Sequence, residues 1–479
     1  MAQEKIVDVS DPAFTKTKIV ATIGPACLGQ EIINKMMAAG MDCARINTAH
    51  GDFSQYESII KMVQEAGEIP IMIDVKGPEI RVRTEKEIVI LAGEKIMFGF
   101  KKGELPYFSF DFSKALLPGD TVFFDNGQIE GKVAEVKKGS EPEVLLHFME
   151  ACIIKPNKGV NVPCKKLKMP SLSDKDRDSV KFAIKNRLSF IALSFTRQKE
   201  DVRGLKKLIG DAPIGVIAKI ENQEGINHID EIIAESDGIM VARGDLGVEI
   251  PLSKIPYLQK MIVQKCNTAG KIVIVATQML ESMIISPTPT RAEVSDVANA
   301  VVDGADAVML SGETAVGKYP VKAIEAMRDI SVEMEDKIIP CVQPKENVSM
   351  SEEVSGVAAK LAVNAKATKI VCVTRSGFTA RLISRFRPNI PLIAMTNSKE
   401  ALLQMKLTWG VFPILMDIIP SKAIIPTVAD YLFSRKTLAR KDLVVFVGGI
   451  RTLQPSVANV VEIHNIGDLL DYKKKFIEN

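Results

Sequence analysis

Eight short apolar runs, each leading into a stretch of helical periodicity, constrain this 479-residue chain more than any other feature. They are Lys18–Ile23, Cys43–Asn47, Pro70–Val75, Phe190–Ser194, Ile214–Ile220, Asp237–Ala242, Lys271–Thr277 and Asp306–Ser311. None alternates polar with apolar residues, the pattern of a strand covered on both faces. Amphipathic helices are predicted after them, for example over Gln30–Ala39, Asp174–Lys185, Arg197–Leu208, Lys254–Thr268 and Ala292–Val302. Eight such units close naturally into an α/β fold of the TIM type, a (β/α)8 barrel whose chemistry sits at the C-terminal strand ends. Those ends carry Arg45 and Asn47, Asp74 and Lys76, Ser194, Lys219 and Glu221, Arg243 and Asp245, Thr277, then Ser311 and Glu313. Cations, carboxylates and hydroxyls in one ring suit an anionic substrate handled with a metal ion. The chain reads as an enzyme.

Other classes fit poorly. Lys+Arg number 62 against 59 Asp+Glu, a formal charge of +3, so the balance calls for no nucleic acid and no membrane partner. No apolar stretch reaches about 18 residues, and Met1 is not followed by a basic and then an apolar segment. A cytoplasmic enzyme is expected. Seven scattered cysteines without a CxxC pair suggest reduced thiols, and four histidines argue against a multi-histidine metal centre.

The repeats are interrupted. Residues 77–169 read as short β segments (Glu87–Phe98, Tyr107–Phe112, Thr121–Phe124, Gly131–Val136, Val144–Cys152) broken by the turn signals Pro118-Gly119-Asp120 and Asp125-Asn126-Gly127. A β-barrel domain inserted after the third strand would stand over the mouth as a lid, hinged near Lys76-Gly77-Pro78 and Lys168-Met169-Pro170. The expected division is an N-terminal segment 1–15, a catalytic barrel 16–76 and 170–340, the lid 77–169 and a regulatory C-terminal domain 341–479. That last part, after a linker from Ile338 to Met350, alternates strand and helix patterns as an open α/β domain should.

Residues two apart on a strand face the same way, so Lys219 and Glu221 can enter one site. With Asp245 on the next strand, Glu221 supplies a second hard oxygen ligand, the pattern for Mg²⁺ or Mn²⁺ with other positions left to water and substrate. The alternative is a structural Lys–Glu ion pair. Gly244 allows close backbone approach to a carboxylate. Thr277 can bind substrate and relay a proton given a water or Ser311 behind it, or can be an ordinary strand residue. Arg45 is suited to bidentate phosphate binding.

The runs Thr22-Ile23-Gly24-Pro25-Ala26, Asp74-Val75-Lys76-Gly77-Pro78-Glu79-Ile80-Arg81, Lys219-Ile220-Glu221-Asn222, Val241–Gly247, Ala276–Met283, Pro289–Glu293 and Met309–Ala315 together resemble the pyruvate kinase family, in the right order over nearly the whole chain. The resemblance implies transfer of a phosphoryl group from phosphoenolpyruvate to ADP, giving pyruvate and ATP, in a homotetramer. It implies Arg45 on the phosphoryl group, Lys219 stabilising that group and the enolate, and Glu221 and Asp245 on Mg²⁺. Gly244, Asp245 and Thr277 would border the substrate, with Thr277 and Ser311 near the proton route. Asn47, His50, Arg81 and Lys175 fall at nucleotide-side positions.

Two departures matter. The family places K⁺ among the positions of Asn47, Asp74, the Val75 carbonyl and a serine, and this chain has Ala49 in place of that serine, although Glu79 matches potassium-dependent members. Asp125-Asn126-Gly127 stands where many relatives carry two aspartates. In the C-terminal part, Ser376, Gly377 and Thr379 occupy a strand-to-helix turn that resembles the family's effector phosphate loop; an ordinary capped helix start is the alternative. The late glycine-rich loop of fructose-bisphosphate-regulated relatives is not recognisable around Gly448-Gly449-Ile450. Two rival readings are a barrel lyase that handles pyruvate enolate and a non-catalytic metabolite sensor.

Overall fold

The computed structural model describes residues 15–163, 165–339, 342, 348–417, 424–449 and 457–476. The start of the N-terminal segment, most of the 340–347 linker stretch, Cys164, Cys341 and Ile450 lie outside the described residues.

Eight parallel strands close the barrel: β1 (Lys18–Thr22), β2 (Cys43–Asn47), β3 (Ile71–Val75), β4 (Phe190–Leu193), β5 (Gly215–Ile220), β6 (Gly238–Ala242), β7 (Ile272–Ala276) and β8 (Ala307–Leu310), with β1 pairing both β2 and β8. Each falls where the sequence placed it, shorter by a residue or two at several ends. Nearly every strand residue is buried, because helices cover the outside and side chains fill the inside. Val20, Met72, Ala192, Met240, Ile274 and Met309 form the inner cluster, while their neighbours Ile19, Ile73, Ile191, Ile239, Val273 and Val308 pack outward under the helices. Leu407 of the C-terminal part joins the inner cluster, at the end of the barrel away from the mouth.

The insert forms its own closed barrel of seven strands. Phe98, Phe108, Phe124 and Phe148 fill it, with ring centroids 5.2 to 6.4 Å apart. The single strand expected over Glu87–Phe98 divides into Ile88–Ile90 and Lys95–Gly99, because Gly93 at φ +80° turns the chain. The expected Val144–Cys152 likewise splits into Glu143–His147 and Cys152–Ile154, and Ile80–Arg83 and Gly159–Asn161 complete the barrel unforeseen. The hairpin at Asp125-Asn126-Gly127 has all three residues at positive φ (51°, 55° and 84°), as its turn chemistry requires.

Both connections to the insert are tied down. Gly77, at φ +72°, donates its N–H to Asp176 Oδ1 at 3.3 Å, within the capping box that opens the helix Asp174–Lys185. Arg197 donates to the carbonyls of Leu167 and Met169 at 3.0 and 2.9 Å. Lys166 also pairs with Glu224 at 3.3 Å, across from insert to barrel.

The C-terminal sheet has the order β11 (Val411–Leu415), β10 (Leu392–Thr396), β9 (Lys369–Val373), β12 (Leu443–Gly448) and β13 (Val460–Asn465), with only β13 antiparallel. Helices Ile424–Ser434 and Ile466–Phe476 were not read from the sequence; they pack with Met350–Asn364, Phe378–Ser384 and Lys399–Met405 on this sheet. Gln404 reaches the carbonyls of Ser189 and Pro213, so the domain docks on the N-terminal ends of the barrel strands.

Candidate active site

A cleft of about 840 Å³ opens between the C-terminal strand ends and the insert. Arg45, Asn47, His50, Asp74, Arg81, Lys219, Glu221 and Asp245 all border it, from three barrel strands, the insert and the segments after the strands. Lys219 is its hub. Its Nζ lies 2.8 Å from Glu221 Oε1, 2.8 Å from Ser194 Oγ and 3.3 Å from Asp74 Oδ1. Burial alone would push this ammonium towards neutrality, but Asp74 and Glu221 outweigh burial and hold its pKa above the ordinary lysine value. Lys219 stays charged.

Arg45 donates Nε and Nη2 to Asp74 Oδ2 at 2.9 and 2.7 Å, and Nη1 to Thr22 Oγ1 at 2.8 Å. One edge of the guanidinium is therefore locked, which fixes its plane in the cleft wall. Burial opposes the Asp74 carboxylate, yet Lys219 and Arg45 overcome this and lower its pKa.

Glu221 differs. Its pKa is raised, first by burial and then by the charge of Asp245, against the opposing pull of Lys219. Its Oε2 accepts the Phe195 N–H at 2.6 Å. Asp245, in the first turn of the short helix Arg243–Glu249, has neither hydrogen bond nor ion-pair partner among the described residues. Two repelling carboxylates, one of them unpartnered, fit a divalent cation with hard oxygen ligands. No group of three or more such ligands gathers among the described residues, so substrate and water would supply the other positions.

Gly244 and Thr277 do not line the cleft but brace it. Thr277 Oγ1 accepts the Gly244 N–H at 2.7 Å and donates to the Ala276 carbonyl at 2.6 Å. Thr277 sits at φ +69° and Gln278 at +53°, a left-handed backbone that a β-branched residue adopts only under constraint. The constraint is Arg243, which donates to both their carbonyls and pairs with Asp296 at 2.7 Å. Arg243 was expected in the polar ring; instead its guanidinium turns away to hold the end of β7. Ser311 keeps its place at the end of β8, where its N–H donates to Glu313 Oε2 at 2.7 Å. Lys175 is exposed on the helix Asp174–Lys185 and lies outside the cleft lining.

On the other side, Asn47 Oδ1 accepts the Ala49 N–H at 3.1 Å, and the exposed His50 gives its carbonyl to Tyr56 Oη at 2.6 Å. Glu79 is flanked by Lys76 at 3.0 Å and Arg81 at 2.6 Å. The Val75 side chain is fully buried. The sequence reading missed Thr22 as the second anchor of Arg45, the Phe195 amide on Glu221 and the grip of Arg197 on the lid connection. Thr22, at a strand end, carried a signal; a backbone amide carries none. In the C-terminal domain, Gly377 at φ +77° caps the helix Phe378–Ser384 without any side-chain cap, Ser376 is exposed and Thr379 is buried.

A closed parallel barrel with cations and paired carboxylates gathered at its C-terminal strand ends defines a barrel enzyme. Residues 14–324 match the family model "Pyruvate kinase, barrel domain", and residues 352–464 match "Pyruvate kinase, alpha/beta domain". The pyruvate kinase of Clostridium acetobutylicum is 37% identical over 94% of this chain and 99% of its own length. That of Staphylococcus epidermidis is 38% identical over 95% and 81%. A crystal structure of a pyruvate kinase from Cryptosporidium parvum superposes with a TM-score of 0.88 at 35% identity, covering 94% of this chain and 96% of that one. The chain belongs to the pyruvate kinase family and is a phosphotransferase. The expected α/β architecture of TIM barrel, inserted β-barrel and C-terminal α/β domain is the one observed. Among the described residues no helix is long and apolar enough to cross a membrane, and the five cysteines described are free.

Proposed function

We propose that the enzyme transfers the phosphoryl group of phosphoenolpyruvate to ADP, giving pyruvate and ATP. The observation that carries this reading is Lys219, held charged between Asp74 and Glu221 beside the unpartnered Asp245. Phosphoryl transfer asks for positioning and charge neutralisation more than covalent chemistry. Lys219 then faces the negative charge that builds on the transferring group and on the enolate oxygen. Arg45, pinned on one edge by Asp74, turns its remaining donors to the phosphoryl oxygens. Glu221 and Asp245 hold Mg²⁺ or Mn²⁺, which neutralises phosphoryl charge when bound.

By family resemblance Gly244 and Thr277, just behind the residues that line the cleft, border the substrate, with Thr277 and Ser311 on the proton route to carbon. The Thr277 hydroxyl proton points to the Ala276 carbonyl, so a relay through it needs a water or Ser311 behind it. Asn47 and His50 from the barrel and Arg81 from the insert border the cleft at nucleotide-side positions, and exposed Lys175, outside the cleft lining, is the fourth such position. K⁺ is held weakly near Asn47, Asp74 and the Val75 carbonyl, because Ala49 lacks the hydroxyl of its relatives. The 77–169 lid closes over the cleft, and Ser376, Gly377 and Thr379 seat a phosphorylated effector. The assembly is a cytoplasmic homotetramer. Pyruvate formation from phosphoenolpyruvate, followed with ADP or Mg²⁺ withheld in turn, tests the reading: full activity should need both, and pyruvate formed at the same rate without ADP would overturn it.

A further inference from the structure

At the opposite end of the barrel strands, a small cavity lies between the barrel floor and the C-terminal domain. Its volume is about 10 Å³, room for one water or one small ion. Lys271 and Asp306 line it from the barrel, and Arg381, Arg385, Arg387 and Thr408 from the C-terminal domain. Its lining thus holds four cations and one carboxylate, with the carboxylates of Glu352 and Asp237 close behind.

Most hydrogen-bonding capacity there is already spent. Arg387 donates Nη2 to Asn267 Oδ1 and to the Gly304 carbonyl, both at 2.7 Å, and lies 3.2 Å from Asp306 Oδ1. Asp306 also accepts N–H groups from Trp409 and Val273, each at 3.0 Å. Arg385 Nη1 reaches the Thr268 carbonyl at 3.0 Å and Glu352 Oε1 at 3.1 Å. Lys271 gives its ammonium to the carbonyls of Ser236 and Ala234 at 2.6 and 3.2 Å. Three donors are left over. Arg385 Nε, Arg387 Nε and Thr408 Oγ1 are buried without a partner, in residues only 5%, 5% and 2% exposed.

Buried polar groups in folded proteins are satisfied, by protein or by something bound. All three orphans can donate, and the three residues that carry them line one cavity. Burial depresses the pKa of Arg381 against the opposing charges of Asp237 and Asp306, and burial with the charges of Lys206 and Arg381 depresses that of Lys271 against Asp237. The surroundings are therefore poorly solvated, and the four lining cations still outnumber Asp306, Glu352 and Asp237, which favours a negative occupant over water. Gly270 also lines the cavity, where a Cβ would lie 3.9 Å from Arg385 Cδ.

We propose that this cavity binds one small monovalent inorganic anion, of chloride or bromide size, held by Arg385, Arg387 and Thr408 across the joint between barrel and C-terminal domain. The ion accepts hydrogen bonds from the three orphan donors and offsets the excess of positive charge. It fastens together two domains whose shared contacts include the Arg387–Asp306 pair.

The test is anomalous diffraction from crystals of the full chain grown in bromide, together with thermal unfolding in bromide against gluconate at fixed ionic strength. The expected results are an anomalous peak in this cavity, beside Arg385 Nε, Arg387 Nε and Thr408 Oγ, and an unfolding midpoint that rises saturably with bromide. Thr408→Val should raise the half-saturating bromide concentration by about fivefold, as the loss of one hydrogen bond implies. A water or no density in the cavity would overturn the proposal. So would a peak that appears only at crystal concentrations, with an unfolding midpoint indifferent to bromide.

Discussion

Lys219 Nζ and Glu221 Oε1 meet at 2.8 Å, two residues apart at the C-terminal end of one barrel strand, and so place a cation and a carboxylate side by side in the cleft. The pair is not merely a structural bridge. Glu221 is also repelled by Asp245, and Lys219 also holds Ser194 and Asp74, so both are parts of a network centred on the cleft.

Asp245→Asn keeps the shape of the side chain and removes a charge. A neutral amide is the weaker ligand for a hard cation, so the Mg²⁺ concentration for half-maximal activity should rise by about tenfold or more. Activity titrated against Mg²⁺ for both proteins decides it. Superimposable curves would remove Asp245 from the ligand set.

Arg197→Ala should loosen the second connection to the insert, since it deletes two hydrogen bonds to the Leu167 and Met169 carbonyls. It also unpairs Asp201, 3.2 Å away, so a stability loss of about 1–3 kcal/mol is expected. Because the residue holds a hinge, kcat and the KM for ADP should change together. A variant that is destabilised but kinetically unaltered would mean that the grip serves folding alone.

The legibility of this chain was uneven for physical reasons. The barrel strands could be read because burial on both faces leaves an unbroken apolar run, and Lys219 with Glu221 because strand geometry alone puts them together. The insert was harder: Ile80–Arg83 and Gly159–Asn161 are short strands paired across the remaining strands of the insert, with no local pattern to announce them. Arg243 sat at a strand end like the residues that line the cleft, yet its partners Asp296 and Gln259 come from other helices. Helix Ile424–Ser434 is strongly apolar and carries Pro426 in its first turn, so the run does not by itself tell a helix from a buried strand. Partner choice over long separations is what a single sequence leaves out.

Activation by K⁺ should persist with poor affinity. Ala49 removes one oxygen from the site, but water can fill a position around a large cation. The charge of Glu79 is balanced by Lys76 and Arg81, so it need not repel phosphoenolpyruvate. Rates in K⁺, Na⁺ and a bulky organic cation at fixed ionic strength should differ, and Ala49→Ser should lower the K⁺ needed for half-activation. Equal rates in all three salts would show that the cation has been dispensed with.

At least one sugar phosphate or nucleoside monophosphate should shift the phosphoenolpyruvate saturation curve through Ser376, Gly377 and Thr379. Gly377 turns the chain at φ +77° with no side-chain cap, leaving the exposed Ser376 unspent on the helix start. Ser376→Glu should abolish the shift by like-charge repulsion. If no phosphorylated metabolite moves the curve, the turn is only a helix start.

The account rests on Lys219 as the charge that meets the transferring phosphoryl group. Its most direct test is the ADP-dependent rate of pyruvate formation by Lys219→Met, measured beside phosphoenolpyruvate binding by the same protein. The account predicts a folded variant that binds phosphoenolpyruvate within a few-fold of the parent but turns over slower by roughly two orders of magnitude or more, the scale on which loss of a transition-state charge partner is felt. Turnover close to that of the parent in a folded variant would contradict it.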